Sequence, residues 1–149
     1  METHALRDVV SRFVARFNTR DLDSAMAFFA EDAEYVTLSG KVRRGRAQIR
    51  AEFEPQFRDR YGHMHFAVER TAVDPSLGTA AITWICSHVF DGPLPSDLRD
   101  RLICAGLKAA FGQRVSWRGG DFFCFDAALK IVRKETFAHA PRMGFSLGA

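Results

Sequence analysis

Four side chains of this sequence have the chemistry needed for proton transfer. Asp121 and Lys134 stand at similar distances on either side of a turn at residues 126–129, so a hairpin there would let them face each other. His88 lies on the long strand that precedes this hairpin, and an imidazole titrates near neutral pH. One hypothesis is therefore that His88 is a general base oriented by Asp121, that Asp121 and Lys134 polarise a substrate oxygen, and that Tyr35 donates a hydrogen bond.

Each of these residues also has a purely structural interpretation. His88 fits a hydrogen-bonded histidine of the core. Asp121 and Lys134 fit a buried ion pair, which perturbs the pKa of both groups without any function. Tyr35 fits an aromatic plug whose hydroxyl stays in solvent. The residue types alone leave these alternatives open.

Helices predominate in the first part of the predicted fold and strands in the second. Residues 3–19 carry an apolar stripe at helical spacing, Asp21 suits the N-cap of a second, shorter helix, and residues 46–57 suit a third. A first strand is predicted at residues 33–39, and later strands at residues 64–73, 79–90, 115–125 and 130–138. Helices followed by antiparallel strands indicate an α+β domain.

Residues 92–114 interrupt the run of strands. The segment begins Gly-Pro-Leu-Pro, Ser96 then suits an N-cap, and Gly112 suits a helix end. Between them runs a stripe formed by Leu98, Leu102, Ala105 and Ala109. This pattern predicts an inserted helix between two paired strands, and a long insertion of this kind is often a lid or a partner surface.

Composition bounds the remaining possibilities. The 149 residues are 47% hydrophobic and 26% charged, which fits a single domain over residues 1–149. The net charge of +3 is scattered, and the basic run at residues 41–46 lacks the aromatic side chains of a nucleic-acid interface.

The three cysteines lack metal-ligand spacing and suit a reducing compartment. Residues 1–4 do not resemble a signal peptide, and no apolar run approaches 18 residues.

From these absences we expect a cytoplasmic protein that binds neither nucleic acid nor membranes and uses neither a metal nor a cofactor. The sequence also has no G-x-S-x-G nucleophile elbow, no phosphate-binding P-loop and no G-x-G-x-x-G dinucleotide motif. Acid–base side chains are therefore the remaining candidates for catalysis.

Three stretches of the chain carry a family resemblance: Asn18-Thr19-Arg20-Asp21-Leu22-Asp23, Phe29-Ala30-Glu31-Asp32-Ala33, and Asp121-Phe122-Phe123-Cys124-Phe125-Asp126 leading into Lys130-Ile131-Val132. In these stretches the chain resembles the SnoaL-like (polyketide cyclase) and ketosteroid isomerase branch of the nuclear transport factor 2 superfamily. The resemblance implies a cone-shaped, cystatin-like α+β fold, in which N-terminal helices pack on a bent antiparallel sheet around one small-molecule pocket. Such a fold hosts many functions.

The resemblance also argues against one activity. Ketosteroid isomerases use a carboxylate base, together with a tyrosine and a protonated aspartic acid that hold the dienolate oxygen. The resemblance places the tyrosine at Phe13, the base at Thr37 and the acid at Asp121. Phe13 has no hydrogen-bond donor and Thr37 is no base near neutral pH, so we predict a pocket without ketosteroid isomerase activity.

Strand alternation combined with the resemblance predicts the pocket lining. Beside the four candidate catalytic residues, we expect ligand contacts from Phe13, Phe17, Thr37, Trp84, Cys86, Trp117, Phe123 and Thr136. The two tryptophans equally suit simple packing. The opposite face of the sheet then holds Ile85, Val89, Phe122, Cys124 and Phe137. That face is too apolar for open solvent, which predicts a homodimer.

Two functions follow as hypotheses. The first is a cofactor-free lyase, isomerase or cyclase that moves protons on a small apolar carbonyl or hydroxyl compound. The second is a non-catalytic ligand-binding or dimeric assembly module of the same fold. An interior filled by Phe13, Trp84 and Phe123 would favour the second, whereas an open cavity lined by His88, Asp121 and Lys134 would favour the first. The inserted helix is predicted to close the mouth of the pocket.

Overall fold

A computed structural model describes residues 1–139 and shows helices packed on one face of a curved six-stranded sheet. The helices are α1 (Thr3–Asn18), α2 (Leu22–Met26), α3 (Gly45–Phe57) and α4 (Leu98–Phe111), and the strands are β1 (Phe29–Val36), β2 (Val42–Arg44), β3 (His63–Asp74), β4 (Thr79–Val89), β5 (Arg114–Phe125) and β6 (Ile131–His139). The strand order is β2-β1-β6-β5-β4-β3. Neighbours are antiparallel except β1 and β6, which run parallel. The α+β prediction is confirmed.

The N-terminal helices form where the sequence pattern predicts them. α1 buries one stripe of side chains against the sheet, made of Leu6, Val9, Val10, Phe13 and Val14. Asp21 caps α2, because its side chain accepts a hydrogen bond from the Ser24 backbone N–H at 3.0 Å. Within residues 1–139, no helix combines the length and the apolar character needed to cross a lipid bilayer.

The first strand differs from the prediction. It starts at Phe29 and ends at Val36, so Thr37 lies beyond it in a turn, where the Thr37 backbone N–H donates to the Lys41 carbonyl at 2.8 Å. This turn leads into β2, a strand of three residues that was not predicted. β2 consists of Val-Arg-Arg, which is too short and too polar for a recognisable alternation.

The inserted helix is confirmed, and its apolar stripe faces away from the rest of the protein. Asp97, rather than Ser96, caps α4 by accepting from the Asp100 backbone N–H at 3.0 Å. The side chains of α4 that face the protein are Asp100, Cys104 and Leu107, whereas Leu98, Leu102, Ala105 and Ala109 are exposed. The physical cause is Asp100, which is fully buried and accepts hydrogen bonds from Arg58 and Arg60.

The sheet has a buried inner face and a partly exposed outer face, as strand alternation predicts. The inner face carries Ile82, Trp84, Cys86, His88, Asp121, Phe123, Phe125 and Lys134, all of them buried. On β6, Ile131 is buried at the start of the strand, where a register shift separates the pairs Cys124–Arg133 and Phe125–Ile131. On the outer face, Phe122 and Phe137 remain exposed.

Candidate active site

Asp121 on β5 and Lys134 on β6 form an ion pair on the inner face of the sheet. The Lys134 Nζ lies 2.5 Å from the Asp121 Oδ1, and the two side chains are only 6% and 9% exposed. The hairpin sets this geometry, since Phe123 pairs with Lys134 while Asp121 pairs with Thr136. The prediction that Asp121 and Lys134 face each other is confirmed. In this contact the Asp121 carboxyl oxygen accepts a hydrogen bond from Lys134, whereas the aspartic acid of ketosteroid isomerases donates one.

Two hydroxyl groups complete the cluster, and the hydrogen bonds fix the direction of their protons. The Thr136 Oγ1 donates to the Asp121 Oδ1 at 2.7 Å and accepts from the Lys134 Nζ at 2.7 Å. The Tyr35 hydroxyl lies 3.2 Å from the same Thr136 oxygen. Because a threonine hydroxyl has one proton, which goes to Asp121, Tyr35 is the donor in this contact. Tyr35 therefore acts on Asp121 through Thr136.

The second oxygen of Asp121 binds Trp84. The Trp84 Nε1 donates to the Asp121 Oδ2 at 3.0 Å. Gly119 makes room for the indole, because a Cβ atom on Gly119 would lie 2.5 Å from the Trp84 ring. The register of β4 and β5 accounts for this contact. Ile82 pairs with Asp121, and Trp84 is the next residue on the same face of β4. Sequence reasoning placed Trp84 in the lining without assigning it this bond.

Burial changes the pKa of Tyr35 and of Cys86, two titratable groups near the ion pair. Burial raises the pKa of Tyr35, and the nearby Lys134 opposes that rise, so the phenol stays a donor at neutral pH. Burial, followed by the Asp121 charge, raises the pKa of Cys86 to about 12, so the Cys86 thiol is no nucleophile here. The Lys134 Nζ also lies 4.7 Å from the centroid of the Tyr35 ring, within the range of a cation–π contact.

His88 is not part of this cluster, and the prediction that Asp121 orients it is wrong. Asp121 pairs with Ile82 across β4 and β5, and His88 lies six residues further along β4, about 20 Å away at about 3.3 Å per residue. The His88 Nδ1–H donates to the Tyr61 carbonyl at 2.8 Å, and its Nε2 accepts from the Trp117 Nε1 at 2.6 Å. Burial lowers the pKa of His88, and the hydrogen bond to Tyr61 opposes that shift. Both ring nitrogens are engaged, which matches the core-histidine alternative.

Aromatic rings pack closely around the ion pair. The Phe13 ring meets the Phe123 ring edge-on at 5.7 Å between centroids, and Phe17 meets Phe53 at 5.0 Å. Trp84 meets Trp117 edge-on at 5.2 Å, between the Asp121 cluster and His88. The remaining predicted pocket residue, Thr37, is buried, but its hydroxyl lies 3.1 Å from the Ser39 Oγ and accepts from the Lys41 N–H in the turn before β2.

Two other features of the described chain lie outside this cluster. A surface depression of about 360 Å³ lies between α2 and α3, and its lining residues are Asp23, Met26, Ala27, Arg46, Ala47 and Arg50. Its two arginines are already paired with Glu31 and Asp23, and none of the cluster residues lines it. Among residues 1–139, no group of three or more His, Cys, Asp and Glu side chains is arranged to hold a metal ion.

The cluster has the parts for acid–base chemistry. Asp121 is a charged proton acceptor, Lys134 is a cationic hydrogen-bond donor, and Tyr35 with Thr136 fixes the carboxylate. An ion pair that is shielded from water acts more strongly on a nearby carbonyl or hydroxyl oxygen than a solvated pair does. The inserted helix packs at the His88 end of the inner face, against Phe90, so its role as a lid stays a prediction.

Comparisons with solved structures find the same fold. The epoxide hydrolase/cyclase-like enzyme SalBIII, with a role in pyran ring formation in polyether salinomycin, superposes with a TM-score of 0.70 at 17% identity and 92% coverage of each chain. A putative polyketide cyclase from Xanthomonas campestris gives 0.65 at 21% identity, with 89% of this chain and 88% of that chain covered. A cystatin-like protein of unknown function from Methylobium petroleophilum gives 0.65 at 18% identity, with 98% and 84% covered.

Identities this low show the fold alone, and no curated protein sequence matches the chain. The family is shown by a separate comparison, in which the SnoaL-like domain matches residues 10–134. That match begins within α1, spans β1 to β5 and ends in β6, so it includes Asp121 and Lys134. The chain therefore belongs to the SnoaL-like domain family of the nuclear transport factor 2-like superfamily.

Proposed function

We propose that this protein is a cofactor-free enzyme of the cyclase or isomerase type, acting on a small, largely apolar carbonyl or hydroxyl compound. The observation that carries the proposal is the buried ion pair of Asp121 and Lys134, enclosed by aromatic rings and braced by Thr136 and Tyr35. Burying two charges costs free energy that apolar side chains of similar volume would not cost. Such costs are typical of functional sites.

The proposed chemistry uses Asp121 as the proton carrier. A carboxylate oxygen takes a proton from the carbon next to a substrate carbonyl, so that the C–H bond breaks and an enolate forms. Lys134 donates a hydrogen bond to the enolate oxygen, using the third N–H of its ammonium, since the other two bind Asp121 and Thr136. Asp121 then returns the proton to a different carbon of the conjugated enolate, which isomerises the substrate. In a cyclisation the enolate carbon instead attacks a second carbonyl carbon of the same substrate, the π bond of that carbonyl breaks, and the alkoxide that forms takes the proton from Asp121. His88 takes no part.

The related structures support the reaction class at the level of fold. SalBIII is described as epoxide hydrolase/cyclase-like and two further neighbours as putative polyketide cyclases. These activities belong to those proteins. In this chain, the support comes from the acid–base cluster of Asp121, Lys134, Thr136 and Tyr35 on the inner face of the same fold.

Deuterium exchange tests the proposal without knowledge of the natural substrate. In D₂O, the protein is expected to accelerate exchange at the carbons next to the carbonyl of 2-tetralone, an apolar enolisable ketone, as followed by proton NMR. Asp121→Asn should lower this rate at least about tenfold, equivalent to about 1.4 kcal/mol. His88→Gln and Glu34→Gln, which changes a carboxylate outside the cluster, should leave it within about twofold. An unchanged rate for Asp121→Asn would contradict the proposed role of the carboxylate.

The second candidate function is a non-catalytic ligand-binding or dimeric assembly module. The edge-to-face contact of Phe13 with Phe123 favours it, because these rings fill space that a substrate would need. On the outer face, the Phe137 side chain is 60% exposed beside Phe122, which supports a homodimer through that face. Light scattering over a range of protein concentrations tests this, since Phe137→Ser should shift a dimer to monomers. A monomer at every concentration would exclude the dimer.

A further inference from the structure

The inserted helix α4 has two opposite apolar faces, and only one of them is covered. Its inner face, with Cys104 and Leu107, packs against Phe90. Its outer face carries Leu98 and Leu102, which are 68% and 65% exposed. A surface helix of a monomer normally has one apolar stripe and a polar opposite face. The exposed leucines on the outer face of α4 depart from that pattern.

The outer face has the spacing of a helix-pairing seam. Leu98, Leu102, Ala105 and Ala109 follow one another at intervals of four, three and four residues, which is the a/d pattern of a coiled coil. All four are exposed. The stripe is thus suited to contact along the length of a second helix.

The residues that flank this seam are all cationic or neutral. Arg99, Arg101 and Lys108 occupy the positions that neighbour the seam on either side, and all three are exposed. Arg101 donates to the Pro95 carbonyl, and within residues 1–139 none of the three forms an ion pair with an acidic side chain. The acidic residue of α4, Asp100, is buried on the opposite face.

This charge pattern selects among the possible occupants. Pairing α4 with α4 of a second copy would bring Arg and Lys flanks together, and like charges at these positions disfavour association. A lipid surface would call for more bulky apolar side chains, whereas the second half of the seam consists of Ala105 and Ala109 beside Gly106, whose added Cβ would meet no atom within 4 Å. Small side chains let another helix approach closely.

We propose that the outer face of α4 is a docking surface for an amphipathic helix of a partner protein with an apolar stripe and acidic flanks. Leu98 and Leu102 provide the apolar contact, Ala105 and Ala109 admit the partner backbone, and Arg99, Arg101 and Lys108 select negative charge. This surface is separate from the Asp121 cluster and does not depend on the function proposed for that cluster.

The test uses two synthetic helical peptides of about three heptads each, with leucine at the a and d positions. One carries glutamate and the other lysine at the e and g positions. Isothermal titration calorimetry with the intact protein should detect binding of the glutamate peptide but not of the lysine peptide, and binding should weaken as salt is added. The double variant Leu98→Ser/Leu102→Ser should weaken binding at least about tenfold.

Matched variants distinguish binding at the outer face of α4 from non-specific hydrophobic binding elsewhere on the protein. Leu77→Ser removes a leucine that is 73% exposed in the turn between β3 and β4, and it should bind the glutamate peptide as the wild type does. The triple variant Arg99→Glu/Arg101→Glu/Lys108→Glu should reverse the preference toward the lysine peptide. Since all these residues are exposed, circular dichroism should show the same fold in every variant.

Four results would overturn the proposal. They are no binding of the glutamate peptide, equal binding of both peptides, self-association that Leu98→Ser/Leu102→Ser abolishes, and binding of phosphatidylserine vesicles through these leucines without peptide binding. The third result would identify a second copy as the occupant, and the fourth would identify a lipid surface.

Discussion

Asp100 and Asp121 are both buried aspartates held by cationic side chains, but the cations come from different surroundings. Asp100 on α4 binds Arg58 and Arg60, and the Arg58 side chain is 48% exposed. Asp121 binds Lys134, whose side chain is 6% exposed. The ion pairs of Asp100 thus lie near the protein surface, where water reaches Arg58. The Asp121–Lys134 pair lies among the aromatic rings of the inner face.

This difference in solvent exposure distinguishes an ion pair that anchors a helix from an ion pair that is a candidate for catalysis. Burial raises the pKa of Asp100, but hydrogen bonds from Arg58 and Arg60 outweigh burial and lower that pKa below its ordinary value. Those bonds fasten α4 to the loop after α3. In the Asp121 cluster both charged side chains are buried, so removing one charge leaves the other with neither a counter-ion nor water around it.

Removing Lys134 should therefore have the largest effect on stability. Lys134→Met leaves the Asp121 carboxylate buried without a counter-ion, and we expect the free energy of unfolding to fall by about 3–5 kcal/mol. Urea denaturation followed by circular dichroism measures this. The double variant Asp121→Leu/Lys134→Met removes both charges and should recover most of the loss. A loss below about 1 kcal/mol in the single variant would mean that water already reaches Asp121.

Removing the charge of Asp100 should have a smaller and more local effect. In Asp100→Asn, Arg58 can turn toward solvent, so we expect a loss of about 1–3 kcal/mol. The loss should be concentrated in α4, because the helix packs through its own small cluster with Phe90. Hydrogen exchange should thus become faster in α4 while β4 and β5 keep their protection. Equal loss of protection in β5 would contradict the view that this ion pair only anchors the helix.

The smallest effect should come from the protonation of His88. Burial lowers its folded-state pKa below 6.5, so below pH 6.5 the unfolded state binds more protons than the folded state. The stabilising contribution of neutral His88 is complete above pH 6.5 and decreases as the pH falls toward the folded-state pKa, by up to about 1.4 kcal/mol per pH unit. Urea denaturation at several pH values should show this decrease in the wild type but not in His88→Gln. Parallel pH profiles for the two proteins would exclude it.

The hairpin was predictable because its chemistry follows from local geometry. The turn at residues 126–129 fixes which residues of β5 and β6 meet, and alternation then puts Asp121, Lys134 and Thr136 on one face. The same alternation on β4 correctly placed His88 inside. Alternation gives the face but not the position along the strand, and this is why the contact of His88 with Asp121 was predicted wrongly.

The inserted helix shows the other limit of sequence reasoning. Its apolar stripe predicts the helix but not which side of the helix faces the protein. The helix turns Asp100 inward, where two arginines of the loop after α3 bind it. A pairing between residues 40 positions apart leaves no periodic signal in a single sequence. β2 was missed for a related reason. One valine and two arginines give no alternation, and they pair with β1 because the turn at Thr37 brings them beside it.

Fluorine NMR of the protein labelled with 5-fluorotryptophan tests most directly whether a small molecule reaches Asp121. The chain has two tryptophans, so Trp117→Phe assigns the resonance of Trp84, whose Nε1 binds the Asp121 Oδ2. We predict that 2-naphthol shifts the Trp84 resonance in a saturable manner, that naphthalene, which lacks the hydroxyl, does not, and that Asp121→Asn abolishes the response. A Trp84 resonance that 2-naphthol leaves unchanged would contradict a ligand site at the ion pair.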